Sequence, residues 1–399
     1  MVSVSEATVN ILSQLYKPSI ETVTITDAPG RVLAENVLAD RDFPPFDRVS
    51  MDGVAIRFNE WKRGQRSFGI EDVQAAGSPA GQLRHAQCAV EVMTGAVLPE
   101  GTDTVIRYED LTIHEDQATI QTMDVKQGQS IHRQGQDALQ GDVLLEPGII
   151  LSPAEIALLA SVGKSEVKVY AFPKTAIVAS GDELVEIDTE PEPHQIRRSN
   201  TYAIQAAMKV MGWEGTQFHL MDDKNVLVDS LRMITASHDV VILSGGISKG
   251  KFDFIPDVLE EIGVKKVFQF VRQRPGKPFW FGVSDSGKIV FALPGNPVST
   301  YLCFYRYVRP WLLSSLHVAL KSMHAILARD FEFEPDLTYF LQVSVRNEMG
   351  KLMAYPDSGG GSGDFANLKK VDGFLELPSD RSTFKAGEAF PFIPFRLAN

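Results

Sequence analysis

The chain has 399 residues and a formal net charge of −12; 44% of its residues are hydrophobic and 23% are charged. This composition is typical of a globular protein with two to four domains, and the acidic charge argues against nonspecific nucleic-acid binding. No apolar run reaches the ~18 residues of a membrane span, and the N-terminus lacks the apolar core of a signal peptide, so we expect a cytoplasmic protein.

The first third of the chain combines a short helix with a β-rich segment. Residues 5–16 place Ala7, Ile11 and Leu15 on one apolar stripe and predict an amphipathic helix. Residues 46–137 contain short strand-like runs separated by Gly, Pro and Asp, which predicts a β-rich insert without a long helix. After it, Ser152-Pro153 opens a helix over 154–161 that stops at Gly163.

Strands and helices alternate from residue 168 to residue 313. Strands are predicted at 175–179, 240–243, 264–271, 279–283 and 288–293, and helices after 200 and at 225–235, 254–262 and 297–312. Alternation of this kind predicts a doubly wound, mostly parallel sheet. Ligands of such sheets bind beyond the C-terminal ends of the strands, and the turns at 180, 244 and 294 all lie at predicted strand C-termini. Residues 317–399 return to short strands and predict a small C-terminal β domain. The predicted fold class is therefore α/β plus β, in several domains.

Two glycine-containing turns follow buried strands of the predicted sheet. The strand at 240–243 runs into Ser244, Gly245 and Gly246 and the segment closes on Asp253; the strand at 288–293 runs into Pro294, Gly295 and Asn296. Glycines at such turns let backbone N–H groups approach phosphate oxygens, although a tight strand–helix turn alone would use the same residues. The pattern is neither G-x-G-x-x-G nor a P-loop, so it supports neither a dinucleotide site nor Walker-type ATP hydrolysis.

Charged residues cluster around these turns. The segment 244–277 has seven basic and four acidic residues, 7 − 4 = +3 in an acidic protein. Within it, RPGKP (274–278) holds Arg274 and Lys277 on a Pro-Gly turn, which suits an oxyanion, although a surface turn is the simpler alternative. The carboxylates of Glu183, Asp222 and Asp253 follow predicted elements and suggest Mg²⁺ beside a phosphate.

The remaining reactive side chains show no recognisable pattern. Cys88 and Cys303 are far apart and have no C-x-x-C partner, so structural zinc and a disulfide are disfavoured. His85, His132 and the other histidines form no ligand-spaced set. Ser180 and Ser244 have no visible His/Asp partners, which argues against nucleophilic catalysis.

Seven motifs in order along the chain resemble the molybdopterin molybdenumtransferase family, which includes bacterial MoeA and the gephyrin E domain. They are FDRVSMDGVAI (46–56), MTGAVLPEGTDTVI (93–106), GQDALQGDVLLEPGIILSPAEIALLASVG (135–163), ASGDELVE (179–186), SGGISKGKFD (244–253), RPGKP (274–278) and LPGNPVS (293–299). The resemblance covers nearly the whole chain.

The resemblance implies the insertion of molybdate into adenylylated molybdopterin, with magnesium-dependent cleavage of the adenylate and release of AMP. It implies a homodimer whose cleft lies between the αβ domain of one subunit and the insert of the other, with a transient contact to the molybdopterin adenylyltransferase. The domains it implies are 1–45 with 138–167 for dimerisation, 46–137 as the insert, 168–316 for molybdopterin binding and 317–399 at the C-terminus.

The family's functional positions carry over onto this sequence in three groups. Catalytic roles are implied for Asp52, Thr94, Asp137, Glu183, Asp253 and Lys277. Contacts to the pterin substrate are implied for Ser244, Gly245, Gly246, Ser248, Lys249, Arg274, Pro294, Gly295, Asn296 and Ser362. Metal ligation is implied for Glu183, Asp222 and Asp253. Ser362 lies in a GGGSG stretch that composition alone would assign to a flexible linker.

Two residues depart from the family pattern, and the sequence leaves two other functions open. Arg274 stands where the family usually has Lys. Gln342 stands where the family often has Arg, and Arg346 could supply the charge that is lost there.

One alternative function is molybdopterin adenylylation on the same αβ module, which the Asp52 and Thr94 motifs disfavour. The other is a gephyrin-like scaffold, which the lack of a linker or partner domain before residue 1 disfavours.

Overall fold

The computed structural model describes residues 1–247, 253–357 and 359–396, and the chain forms two compact units. The large unit comprises Met1–Ala34, Pro147–Ser152 and Glu166–Asn399; the insert unit comprises Glu35–Glu146 and Pro153–Ser165. The predicted contacts of Ser248 and Lys249 lie outside the described residues. The division into four domains stays a prediction.

The described residues form short α-helices and β-strands along the chain. The α-helices are α1 Val4–Leu12, α2 Phe58–Lys62, α3 Pro153–Ser161, α4 Asn200–Lys209, α5 Lys224–Ser237, α6 Ile255–Glu261, α7 Pro297–Cys303 and α8 Arg309–Ser315. The strands of the first half are β1 Ile20–Thr24, β2 Val37–Leu38, β3 Arg48–Val49, β4 Gly53–Ile56, β5 Ser67–Gln74, β6 Cys88–Val92, β7 Thr104–Arg107, β8 Leu111–His114, β9 Gln117–Ile120, β10 Ile131–His132, β11 Val143–Leu145, β12 Glu166–Tyr170, β13 Thr175–Ser180, β14 Leu184–Val185 and β15 Ile196–Arg197. Those of the second half are β16 Gly215–Leu220, β17 Val240–Ser244, β18 Val264–Phe270, β19 Gln273–Arg274, β20 Pro278–Ser284, β21 Ile289–Leu293, β22 Met323–Leu327, β23 Phe331–Glu332, β24 Thr338–Glu348, β25 Lys351–Pro356, β26 Gly373–Leu377, β27 Thr383–Phe384 and β28 Ala389–Pro394.

The central sheet of the large unit has the strand order β16-β13-β17-β21-β20-β18. The first four strands are parallel, and β20 and β18 complete the sheet in antiparallel register. Every residue of β13, β17 and β21 is buried, which explains why these strands read as continuous apolar runs. The predicted doubly wound, mostly parallel sheet is confirmed.

Helices cover both faces of this sheet. One face packs α4, α7 and α8 around a core that includes Trp213, Phe291 and Trp311. The other packs α5 and α6 through residues such as Leu231 and Val258. The helix predicted at 297–312 runs on to the end of α8, with a single π-helical turn at Phe304–Val308 between α7 and α8. Among the described residues, no helix is long and apolar enough to cross a membrane.

The C-terminal strands of the large unit close on themselves. The order is β24-β25-β22-β28-β26, and β26 pairs back with β24. The short strand β19, from the middle of the chain, runs parallel to β24 and pairs Arg274 with Tyr339. The RPGKP turn therefore lies beside the C-terminal strands, although in sequence it belongs to the αβ segment.

The insert unit is built on a sheet of order β7-β4-β6-β5-β9-β8. Its only α-helix between residues 46 and 137 in the described chain is the short α2, as the β-rich prediction required. Gly53, in the MDG motif, starts β4, and a Cβ placed there would lie 1.9 Å from the carbonyl oxygen of Ile106. Close packing of β4 against β7 thus explains this glycine.

Candidate functional site

Three loops meet at the carboxyl edge of the parallel sheet, where β13, β17 and β21 end. Gly245 has φ +103°, and a Cβ there would lie 2.6 Å from the carbonyl oxygen of Ser180. A Cβ at Gly295 would lie 3.6 Å from the Cα of Gly245. The N–H of Gly245 donates to the carbonyl of Leu293 (3.2 Å). The lack of a side chain at Gly245 thus allows the loops to approach one another closely. The expectation that the turns at 180, 244 and 294 share one edge is confirmed.

Asn200 joins two of these loops and was not among the predicted site residues. It is the first residue of α4, and its Nδ2 donates to the Oγ of Ser244 (2.9 Å) and to the carbonyl of Gly295 (2.8 Å). Its amide thus fixes the spacing between the loops after β17 and β21. The only sequence signal was a polar residue at a helix start, which most helices have for capping alone.

The three predicted metal ligands lie in the loops that follow the sheet strands. Asp222 accepts a hydrogen bond from Ser180 Oγ, Glu183 is exposed with its carboxylate over Gly181, and Asp253 is half-buried before α6. Carboxylate oxygens are the donors that Mg²⁺ prefers, so the set fits this ion in kind. In the described part of the chain, however, they do not form a group whose oxygens all lie within 4.8 Å of one another. The magnesium site stays a prediction.

A cavity of about 280 Å³ lies beside the RPGKP turn in the large unit. Five of the predicted site residues line it: Arg274, Lys277, Pro294, Asn296 and Ser362. The GGGSG stretch is not a free linker, because Ser362 Oγ accepts a hydrogen bond from Asn296 Nδ2 (3.0 Å) and its carbonyl accepts one from the N–H of Val298 (3.2 Å).

The two departures from the family pattern lie on the wall of this cavity. The Arg274 guanidinium is 5.9 Å from the centre of the Phe333 ring, which stacks on Tyr339 at 4.2 Å. Gln342 is buried, at 5% exposure, and its side-chain oxygen accepts from Asn367 Nδ2 (3.4 Å). Arg346 lies over the Tyr355 ring, 4.9 Å from its centre.

The predicted catalytic residues of the insert unit are held by local hydrogen bonds. The N–H of Thr94 donates to Asp52 Oδ1 (2.5 Å), and hydrogen bonds from the side chain and backbone of Thr94 lower the pKa of Asp52. Asp137 Oδ1 lies 2.8 Å from His132 Nε2, and His132 Nδ1 lies 3.1 Å from an Arg48 nitrogen. The MDG and MTG turns are therefore linked directly through Asp52 and Thr94.

One group of potential metal ligands was missed by the sequence reasoning. Glu71, His85 and Cys88 in the insert unit bring a carboxylate, an imidazole and a thiol within 4.8 Å of one another. His85 therefore belongs to a group of potential ligands in three dimensions, which the spacing of the histidines along the sequence did not predict. The available signal was the spacing H-x-x-C at 85–88.

Comparison with known proteins gives matches along the whole chain. Family models match residues 2–163 ("MoeA N-terminal region (domain I and II)"), 176–314 ("Probable molybdopterin binding domain") and 324–395 ("MoeA C-terminal region (domain IV)"). A molybdopterin molybdenumtransferase of Synechocystis sp. is 40% identical over 396 residues, covering 98% of this chain and 99% of its own. That of Haemophilus influenzae is 32% identical and covers 99% of each chain.

The chain belongs to the MoeA family of molybdopterin molybdenumtransferases. A crystal structure of the MoeA protein of Pyrococcus horikoshii superposes with a TM-score of 0.81, 30% identity and complete coverage of both chains. The matches to the MoeA regions on both sides of the pterin-binding domain favour a MoeA protein over a lone adenylyltransferase module.

Proposed function

We propose that this protein is a molybdopterin molybdenumtransferase that inserts molybdate into adenylylated molybdopterin and releases AMP and molybdenum cofactor. The observation that carries the proposal is the cavity lined by Arg274, Lys277, Asn296 and Ser362 beside the C-terminal strands. In this otherwise acidic chain, two exposed cations on one turn give the cavity a local positive charge.

The chemistry of the cavity suits the two anionic substrates. Molybdate is a dianion and the pterin bears a phosphate. Both can accept paired hydrogen bonds from the Arg274 guanidinium and are attracted by the charge of the Lys277 ammonium. The amide of Asn296, held by Ser362, offers a neutral polar contact on the same wall. The Phe333 ring, which stacks on Tyr339, lies 5.9 Å from the Arg274 guanidinium and gives it a cation–π contact on the same wall.

Glu183, Asp222 and Asp253 would hold the magnesium ion. Bound there, Mg²⁺ would neutralise charge that develops on the phosphate oxygens during adenylate cleavage. Ser180 orients the Asp222 carboxylate through its hydroxyl. Asp253→Asn is expected to keep the wild-type melting temperature and to lose magnesium-dependent AMP release. Asp257→Asn is a matched control, because Asp257 is exposed one turn later on α6.

The function is tested by reconstitution from purified components. The protein is incubated with adenylylated molybdopterin, molybdate and Mg²⁺, and both AMP release and activation of a cofactor-free molybdoenzyme are measured. We expect both to depend on molybdate. Turnover of ATP with molybdopterin alone would instead indicate the adenylyltransferase, and a lack of both activities would favour a scaffold.

We further propose that the active form is a cytoplasmic homodimer that receives its substrate by transient contact with the adenylyltransferase. In the dimer that the family resemblance implies, Asp52 and Lys277 contribute to one site from different subunits. Asp52→Ala and Lys277→Ala proteins, each inactive, should then regain partial activity after subunit exchange, since one site of the mixed dimer carries neither change. No recovery after exchange confirmed by mass would contradict this arrangement.

A further inference from the structure

Glu71, His85 and Cys88 lie together on the insert unit and have no role in the proposed reaction. We propose that they form a binding site for a divalent transition-metal cation of the zinc type, with solvent completing the coordination sphere. The ligand atoms of the three side chains all lie within 4.8 Å of one another. Glu71 Oε2 and His85 Nδ1 lie 2.8 Å apart.

Strand geometry directs the Glu71 carboxylate to this place. β5 and β6 are parallel, and Ile70 pairs with Ala89 while Asp72 pairs with Val90. Glu71 is therefore the extra residue of a bulge, a feature that re-aims a side chain. Its Oε1 accepts hydrogen bonds from the backbone N–H groups of Arg84 and His85, which leaves Oε2 directed at the imidazole.

A turn places the other two ligands beside this carboxylate. The N–H of Cys88 donates to the carbonyl of His85 (2.9 Å), which closes the segment between them. The His85 side chain is 72% exposed and its ring can turn, whereas the Glu71 side chain is only 12% exposed. Glu71 is thus a fixed ligand and His85 an adjustable one, and the site is open to solvent on the side of His85.

The kinds of donor and their spacing select the class of metal. Thiolate, imidazole and carboxylate are the ligands of Zn²⁺, at about 2.3 Å from sulfur and about 2.0–2.2 Å from nitrogen or oxygen. In a tetrahedral site these bond lengths put neighbouring ligand atoms on the order of 3.3–3.6 Å apart. In the structure one pair of ligand atoms is 2.8 Å apart and all pairs lie within 4.8 Å, so small side-chain rotations are sufficient to reach the tetrahedral spacing. Hard oxygen-binding cations such as Mg²⁺ would not use the thiol.

The charges of the ligands suit a divalent cation. Bound as carboxylate and thiolate, Glu71 and Cys88 would balance the two positive charges of the ion, and the thiol proton would pass to solvent when the metal binds. Arg84, the residue before His85, pairs with Asp72 at 3.7 Å.

The test is metal titration of the full-length protein after chelator treatment. Calorimetry should show one Zn²⁺ bound per chain, and Co²⁺ should give a near-ultraviolet thiolate charge-transfer band. Cys88→Ser should abolish that band, and Cys88→Ser and His85→Asn should each weaken Zn²⁺ binding by about tenfold or more. Zn²⁺ should also raise the melting temperature of the wild type and not that of Cys88→Ser.

His194→Asn serves as the matched control, because His194 is an exposed histidine 3.6 Å from a carboxylate, that of Glu192. It should bind Zn²⁺ as the wild type does. His85 is exposed, so His85→Asn is expected to fold even if Glu71→Gln does not. A wild-type protein without saturable Zn²⁺ binding would overturn the proposal. Binding that is unchanged in both Cys88→Ser and His85→Asn would do the same, since the metal would then lie elsewhere.

Discussion

The hydroxyl of Tyr307 donates a hydrogen bond to the side-chain oxygen of Gln273, and both side chains are buried. The Gln273 amide nitrogen in turn donates to the carbonyls of Pro275 and Gly276, at 3.2 Å each. This chain of contacts connects the π-helical turn at Phe304–Val308 with the turn that carries Arg274. Burial raises the pKa of Tyr307 well above its usual range, so the hydroxyl stays protonated and remains a donor.

Removal of the Tyr307 hydroxyl should therefore loosen the RPGKP turn. Tyr307→Phe leaves a buried acceptor on Gln273 without its donor, which costs about 1–3 kcal/mol of unfolding free energy. We expect weaker binding of adenylylated molybdopterin as well, measured by calorimetry beside urea unfolding. Tyr202→Phe, at an exposed position on α4, is the control. Unchanged stability and affinity in Tyr307→Phe would show that this network does not hold the turn.

Gly245 should not tolerate a side chain, because its Cβ would meet the backbone oxygen of Ser180 at 2.6 Å. Gly245→Ala is expected to lower the free energy of unfolding by about 1–3 kcal/mol and to reduce AMP release. Gly263→Ala is the matched control, since Gly263 has φ +91° but open space around its Cβ position. Equal losses in the two variants would mean that backbone strain alone, and not the approach of the two loops, is responsible.

Arg274 should govern the concentration of molybdate needed for insertion. Arg274→Ala is expected to raise that concentration about tenfold or more, which corresponds to ~1.4 kcal/mol per decade. Arg274→Lys should cost little, because it restores the usual family residue. Pterin affinity, measured separately by calorimetry, distinguishes the two ligands. Lys265→Ala is the control, at an exposed lysine that pairs with Asp285 on the surface. If Arg274→Ala changes neither the molybdate concentration needed for insertion nor the pterin affinity, the RPGKP motif is only a surface turn.

The contribution of Asp52 to stability should depend on pH. Its pKa is lowered by hydrogen bonds from Thr94, so its contribution is complete above the unfolded-state value, about 3.9, and disappears as pH falls through the lower folded-state value. The difference in urea midpoint between wild type and Asp52→Asn should thus be larger at pH 7 than at acidic pH, where Asp52 becomes protonated in the folded state as well. Asp116→Asn, an exposed aspartate in the β8–β9 turn, is the control. A difference that is constant with pH would contradict the role of ionised Asp52.

The local sequence determined the central sheet and the location of its ligand-facing loops. Continuous β-branched and apolar runs such as 240–243 specify strands buried on both faces, and parallel strands bring their carboxyl ends to one edge. For this reason the sequence alone places the loops at Ser180, Ser244 and Pro294 at one edge of the sheet. The motifs, in order along the chain, were also sufficient for family membership.

Tertiary structure alone decided which distant segments share a surface. Strand β19 pairs with β24, so Arg274 lies beside Tyr339 and Phe333, and Ser362 packs against Asn296. The roles of Asn200 and Gln273 were not visible, since an amide that bridges two loops has the same local signature as a cap or a surface residue. Glu71 was not visible either, because a bulge in β5, and not the spacing along the chain, turns it toward His85 and Cys88.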